Sequence, residues 1–219
     1  AFLGRSAEPV HCGWSDSYWF QYYAEEVKAL KDAGLVEGEV LKRASLDHIK
    51  GELERVYFGQ GRYDATISVN NIAKPRNRVA VDVKINEGES ARITTINILG
   101  NKAFSEKELL KLMQSKATHF TSFFKGDDKY ARERLMGDLE ALRSFYLDSG
   151  YINFAINSHQ VTLSQDKKSV FIDISLNEGD KYQFGEPKIL GEVPINEQEL
   201  QKLLLVKSGR DYSQQLVTA

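Results

Sequence analysis

The chain repeats itself at an interval of 91 residues, and that period restricts the folds open to it. Asn86-Glu87-Gly88 returns as Asn177-Glu178-Gly179, and Ile98-Leu99-Gly100 returns as Ile189-Leu190-Gly191. Glu106-Lys107-Glu108-Leu109 returns, at the same offset, as Glu197-Gln198-Glu199-Leu200. Three coincident stretches mark a tandem array of one small unit. An earlier copy is visible as well. Gly61-Arg62-Tyr63 and Ser149-Gly150-Tyr151 each open an apolar alternation that passes a polar turn and ends in Asn-Glu-Gly. A first copy therefore ends near Gly88, a second runs from about Glu89 to Lys181, and a third begins near Tyr182.

The middle copy can be read through. Ile93 to Leu99 is expected as a strand with Ile96 and Ile98 on one face, and Asn101 to Phe104 as a turn. Ser105-Glu106-Lys107-Glu108 has the form of a capping box, in which the serine accepts from the third helical residue and the glutamate reaches back. Phe104 and Leu109 stand where a hydrophobic staple would form, and Ile195, Asn196, Glu199 and Leu200 repeat the device. The helix should turn Leu109, Leu112 and Met113 inward. A loop with Phe123, Phe124 and Gly126 follows, and Asp127 or Asp128 is expected to cap a second helix. Ala131, Leu135, Leu139, Leu142 and Tyr146 step by three or four, which makes one apolar stripe, and Gly150 stops the helix.

Two strands finish the copy. Ile152, Phe154 and Ile156 alternate, as do Val170, Ile172, Ile174 and Leu176, with the polar stretch Ser164 to Lys168 as the hairpin turn. In the first copy Ala65, Ile67 and Val69 face Val79, Val81, Val83 and Ile85 across Pro75-Arg76-Asn77-Arg78. Each unit is then β-α-α-β-β in the α+β class, with two helices on one face of a three-stranded mixed sheet. The apolar phase slips between Ile156 and Val161. Either one extra residue makes a β-bulge there, or the strand ends near Asn157.

Composition narrows the function classes. Lys plus Arg number 29 and Asp plus Glu 31, for a net charge of −2, so no strong field draws the chain to nucleic acid or anionic lipid. The longest apolar run, Leu203-Leu204-Leu205-Val206, is far short of the roughly 20 residues of a membrane helix. No basic start followed by an apolar stretch appears, and the absent initiator methionine suggests a piece of a longer protein. One cysteine, Cys12, forms no internal disulfide, and His11, His48, His119 and His159 lack ligand spacing. Asp127-Asp128 suits a helix start better than a metal. The 16 glycines include no Gly-x-x-Gly pair of the kind a KH module needs, and neither a dinucleotide fingerprint nor a Walker motif is present. No catalytic constellation emerges, so the chain is expected to be a binding protein with no cofactor, no metal and no nucleic-acid partner.

A tandem β-α-α-β-β module of this length resembles the polypeptide-transport-associated (POTRA) domain. The stretch Lys125-Gly126-Asp127-Asp128-Lys129-Tyr130, with Gly137-Asp138-Leu139-Glu140, Leu142-Arg143-Ser144, Tyr146-Leu147-Asp148 and Gly150-Tyr151, is similar to the third POTRA repeat of gammaproteobacterial outer-membrane assembly factors. Pro75-Arg76-Asn77-Arg78-Val79 is similar to the hairpin turn of their second repeat, and Asp166-Lys167-Lys168 to that of the third. The likeness covers about Ala24 to Ala219. It implies that residues 24–88 are most of a second repeat, 89–181 a complete third, and 182–219 the start of a fourth.

Residues 1–23 do not fit. Aligning Val27 with Leu109 and Leu30 with Leu112 puts the expected Gly-Asn turn at Tyr18 and Trp19, and His11-Cys12-Gly13-Trp14-Ser15-Asp16 shows no alternation. Glu8-Pro9 does resemble the opening of this repeat at the proper distance. A shift of reading frame between Val10 and Tyr23 keeps length while losing identity. In that case the neighbouring frame should encode an alternating strand ending in Gly-Asn; otherwise the segment is foreign or divergent. Either way the first module is expected to lack its first strand.

The resemblance also implies a function. Such repeats lie in the periplasm ahead of a C-terminal membrane β-barrel, receive unfolded outer membrane β-barrel proteins, and work with accessory assembly lipoproteins. The free edge would be the second strand of the module: Tyr151, Ile152, Asn153, Phe154, Ala155, Ile156, Asn157, Ser158, His159, Gln160 and Val161. Ile152, Phe154 and Ile156 would support it from the core side while the backbone of Asn153 to Gln160 pairs with an added strand. Two other readings within the fold are a rigid docking scaffold for the lipoproteins and the POTRA part of a two-partner secretion transporter.

Overall fold

The computed structural model describes residues 2–3, 28, 31–32, 43–76, 78–119, 122, 127–188 and 206–218. The anomalous stretch from His11 to Trp19, the helix residues Val27 and Leu30, Phe123, Phe124 and Gly126, and the third-copy cap around Ile195 to Leu200 lie outside the described residues. The chain divides into two compact units: Ala1–Arg92 with Lys129–Arg132 and Ser164–Ser169, and Ile93–Asp128 with Glu133–Leu163 and Val170–Ala219.

In the first unit, α1 (Arg43–Gly59) precedes the hairpin of β2 (Thr66–Lys74) and β3 (Arg78–Asn86). Ile49, Leu53 and Tyr57 lie four residues apart, so they fall on one face of the helix. They are buried with Ala65, Ile67, Val81 and Val83 in one cluster. The hairpin register sets Ile67 opposite Ile85 and Val69 opposite Val83, as the alternation predicts, while Ala65 is buried just ahead of the strand. At the tip Arg76 takes the left-handed conformation, with φ of 63°.

The first-strand slot of this sheet is not empty. β1 (Phe2–Leu3) pairs in parallel with Asp82 and Val83, so the strand order is β1-β3-β2 and the sheet is mixed. This corrects the expectation of a missing strand. The backbone groups of β3 are satisfied there by two residues from the very start of the chain, well upstream of the segment that the repeat offset points to.

The full β-α-α-β-β order follows, all but its boundary residues in the second unit: β4 (Arg92–Leu99), α2 (Glu106–Leu112), α3 (Arg132–Asp148), β5 (Ala155–Leu163) and β6 (Ser169–Asn177). Its sheet order is β4-β6-β5, which puts β6 at the centre. Ile93, Ile96 and Ile98 of β4 are buried, with Val170, Ile172, Ile174 and Leu176 of β6, and Leu135, Leu139, Leu142 and Tyr146 of α3 close over them. Burying such a side chain stabilises a core by about 1.5–3 kcal/mol.

Two helix details depart from the sequence reading. Leu109 and Met113 are buried, but Leu112 is 39% exposed. Positions 109 and 113 are one turn apart, whereas 112 falls off that line on a helix of barely two turns. Asp127 and Asp128 do not stand at the start of α3, which begins only at Arg132. They form a turn followed by the bridge from Lys129 to Arg92. The Asp127 carbonyl accepts from Lys116 N–H at 3.1 Å and the buried Asp128 side chain accepts from Thr118 Oγ1 at 3.1 Å. The residue that holds the segment after α2 is instead Asp138, within α3, whose buried carboxylate accepts the N–H groups of Gln114 and Ser115.

The capping box forms as expected, with Ser105 N–H donating to Glu108 Oε2 at 2.9 Å and the Ser105 side chain accepting from Glu108 N–H. The Ser105 hydroxyl, followed by its backbone N–H, holds the exposed Glu108 carboxyl below its ordinary value of 4.5. A depressed carboxyl contributes stability that is complete above the unfolded value and is lost as pH falls through the folded one. Loss of the N-cap hydroxyl in Ser105→Ala should cost about 1 kcal/mol at neutral pH. An NMR titration of the variant should show Glu108 rising toward the ordinary carboxyl range, short of a full return because the backbone N–H at position 105 remains. Phe104, ahead of the cap, packs edge-on against Phe145, Tyr146 and Tyr151.

After β6 the described chain runs on to α4 (Gln214–Thr218). Asp148 at the end of α3 accepts from Ser213 Oγ and Gln215 N–H, both at 2.9 Å. Among the described residues no helix is long and apolar enough to cross a membrane.

Candidate functional site

The candidate site is the β5 edge of the second unit, which pairs with β6 alone among the described residues, and the end of α3 leads into it. Gly150 takes φ of 100°, which lets Tyr151 N–H turn back onto the Tyr146 carbonyl at 3.0 Å. This is the glycine-closed helix end that frees the chain for a new direction. The Phe154 N–H donates to the Tyr151 carbonyl at 3.1 Å. Residues 151–154 are therefore a turn, and β5 begins at Ala155. The alternation of Ile152, Phe154 and Ile156 suggests a strand from Tyr151 onward, and the structure corrects that expectation. Periodicity alone does not distinguish a strand from a turn whose apolar residues fall at every second position, even where one of them, Ile152, is exposed.

The predicted residues accordingly separate into two groups. Tyr151 stacks edge-on with Phe104 and Tyr146, Ile152 is 40% exposed, Asn153 Nδ2 donates to the Tyr182 hydroxyl at 2.9 Å, and Phe154 is buried. Ala155, Ile156, Asn157, Ser158, His159, Gln160 and Val161 lie on the strand, which continues through Thr162 and Leu163. Of the three proposed supports, only Phe154 and the half-buried Ile156 face inward. Val161 and Leu163, opposite Ile172 and Val170, take over that role further along.

The change of support follows from the phase slip. The register jumps between Ile156 and Ser158, leaving Asn157 as the extra residue of a β-bulge. Even-numbered residues face the core before it and odd-numbered ones after it. His159 thus shares the side of Val161 and Leu163, opposite Ile174, yet stays exposed.

The two edges of this sheet are unlike. Along β4, the Ile93 carbonyl accepts the Thr118 N–H at 2.7 Å and the Thr118 Oγ1–H at 3.0 Å, and Ile93 N–H donates to the Asp128 carbonyl at 2.7 Å. The Ile98 N–H donates to Glu106 Oε1 at 3.0 Å. Loop and helix residues thus close the β4 edge. Along β5, hydrogen-bonded pairing runs only to β6 among the described residues. An edge with unpaired N–H and C=O groups is a template for an extended chain.

A residue pair that sequence reasoning did not connect holds the edge in place. The Glu178 carboxylate, buried just past β6, accepts from Lys102 N–H at 2.9 Å, Ala103 N–H at 3.1 Å and the Tyr146 hydroxyl at 2.9 Å. Burial, then this hydrogen bond, pushes the Tyr146 phenol above its ordinary range. The Tyr146 ring stacks on Phe154 with centroids 4.2 Å apart, so Glu178 fixes the turn after β4 and the approach to β5 together. Its signal in the sequence is the recurrence of Asn-Glu-Gly. In the other copy, among the described residues, Glu87 pairs with Arg62 at 3.2 Å.

The model of the family described as surface antigen variable number repeat, POTRA, matches residues 23–88 and 91–179. The outer membrane protein assembly factor BamA of Neisseria meningitidis serogroup B is 30% identical over 193 residues, which are 88% of this chain and 24% of that protein. BamA of Buchnera aphidicola subsp. Acyrthosiphon pisum is 29% identical over 184 residues, 84% of this chain and 30% of that protein. The chain thus spans roughly a quarter to a third of the length of these curated relatives. The crystal structure of Haemophilus influenzae BamA POTRA3-5 aligns over 99% of this chain and 80% of its own, with 16% identity and a TM-score of 0.47.

Proposed function

The chain belongs to the POTRA family, and from that premise we propose that it is the periplasmic polypeptide-binding part of an outer membrane protein assembly factor. It receives unfolded β-barrel proteins by strand addition at β5 and passes them on for membrane insertion. The rest of its own longer chain, with a C-terminal membrane barrel, and accessory lipoproteins are its partners in that work. Similarity to relatives named outer membrane protein assembly factor supports the setting. The observation that carries the mechanism is the contrast between the edges of one sheet: β4 is closed by Thr118, Asp128 and Glu106, while β5 offers its backbone. Backbone pairing is nearly blind to side-chain identity, which suits a receptor for many different barrel strands.

The test is an NMR titration of the isotope-labelled chain with a peptide from a barrel strand. Shifts should concentrate at the amides from Ser158 to Leu163, beyond the bulge, and leave β4 unmoved. Silence at those amides at millimolar peptide would remove the strand-addition reading and favour a docking scaffold for lipoproteins.

The bulge has a role in this scheme, because long regular edges pair with one another and aggregate. Deleting Asn157 restores a single alternation through Ile156, His159, Val161 and Leu163 without turning any of them to the other face. The deletion variant should stay folded and self-associate more strongly, read as a concentration-dependent rise in mass by analytical ultracentrifugation. An unchanged monomer would show that the bulge does not guard the edge.

A further inference from the structure

The second unit carries another surface, built on a helix face instead of a strand edge. Glu106, Lys107, Leu110 and Lys111 of α2, with Lys116 from the segment after it, line an open cleft of about 370 Å³. That is within the size range of pockets that hold a few groups of a bound ligand. Its charges are unbalanced, with three ammonium groups against one carboxylate in a chain whose net charge is −2. The one carboxylate is already engaged, since Glu106 Oε1 accepts the Ile98 N–H. Among the described residues no ion pair involves Lys107, Lys111 or Lys116. Lys111 does lie within electrostatic reach of Glu108, whose carboxylate Ser105 holds. The Lys116 ammonium donates to the Leu110 carbonyl, which fixes it beside the cleft. Lys107 and Lys111 are one helical turn apart, so their Cβ atoms stand about 6 Å from each other on one face.

We propose that this cleft is a docking site for an acidic segment of a partner polypeptide. One apolar side chain of the partner rests on Leu110, and flanking carboxylates meet Lys107 and Lys111. Charge complementarity selects the sign of the partner. The layout favours a polypeptide over a membrane. Recognition of anionic lipid uses clusters of about four to eight basic residues, whereas here three lysines and a glutamate surround a single apolar spot.

The test titrates the labelled 219-residue chain with a synthetic peptide that places one leucine between pairs of aspartates. The same peptide with serine for aspartate, and phosphatidylglycerol vesicles, run beside it. The aspartate peptide should shift the amides of Lys107, Leu110, Lys111 and Lys116 and bind more weakly as salt rises. Lys107→Glu with Lys111→Glu should raise its Kd about tenfold or more, and Lys84→Glu on β3 should not. Lys116 is left in place because it bonds the end of α2. Equal binding of the serine peptide, binding of vesicles without the peptide, or silence at these amides would each overturn the proposal. The amides read here are not those of β5, so the outcome is independent of strand addition.

Discussion

Gly100→Ala will destabilise the second unit by on the order of 3 kcal/mol or more. Gly100 follows β4 directly and takes φ of 94°, a backbone conformation that alanine adopts only under strain. Space is also lacking, because a Cβ at this position would stand 2.1 Å from the carbonyl oxygen of Leu176. That oxygen belongs to the central strand of the sheet, so relief requires parting β4 from β6. Gly137 supplies the control. It lies inside α3, and an alanine methyl there would meet nothing within 4 Å, so Gly137→Ala should stabilise by about 0.5–1 kcal/mol. Urea unfolding followed by circular dichroism reads both. Equal midpoints for Gly100→Ala and the parent would mean that the chain does not pass Leu176 as described.

The second large effect is expected at Glu178. Glu178→Ala leaves the N–H groups of Lys102 and Ala103 and the Tyr146 hydroxyl without their acceptor. Hydrogen bonds to a charged group contribute about 1.5–3 kcal/mol each, but Lys102 and Ala103 lie at an exposed turn where water takes over their N–H groups, so a total of about 3 kcal/mol is expected. Tyr146→Phe removes one donor and keeps the ring, which should cost about 1 kcal/mol. The double variant should lose less than the sum, because both changes remove the same bond. Strict additivity would contradict the shared hydrogen bond. Since the Tyr146 ring stacks on Phe154, Glu178→Ala should also speed amide exchange in β5 while leaving β2 unchanged.

Both positions are part of the recurring pattern that makes the repeat visible, yet their roles are legible to different degrees. Gly100 stands at the end of an apolar strand, where a glycine is read at once as a turn. Glu178 has the look of the polar end of a strand, and only the packed structure shows it bonded to residues some 75 positions earlier in the chain. The bulge is legible because side-chain alternation has a period of two, and a one-residue slip reverses it. The turn at 151–154 is not, because Ile152, Phe154 and Ile156 alternate in the sequence as a strand would, although Ile152 is exposed.

The sequence by itself determined the repeat, the order of elements, the capping box at Ser105, the buried stripe of α3 and the inward face of β6. These follow from local periodicity and cap chemistry, which neighbouring residues carry among themselves. Tertiary structure alone decided which sheet edge is closed among the described residues. Every strand presents the same backbone donors and acceptors, so nothing in β4 or β5 marks one as closed. The difference comes from segments distant in the chain: Thr118 and Asp128 bond to Ile93, and Glu106 to Ile98. The same cause moved the start of α3 past Asp127 and Asp128, which are drawn into tertiary hydrogen bonds instead of capping. It also filled the first-strand slot with Phe2–Leu3, because an unpaired inner strand takes whatever segment can satisfy its backbone.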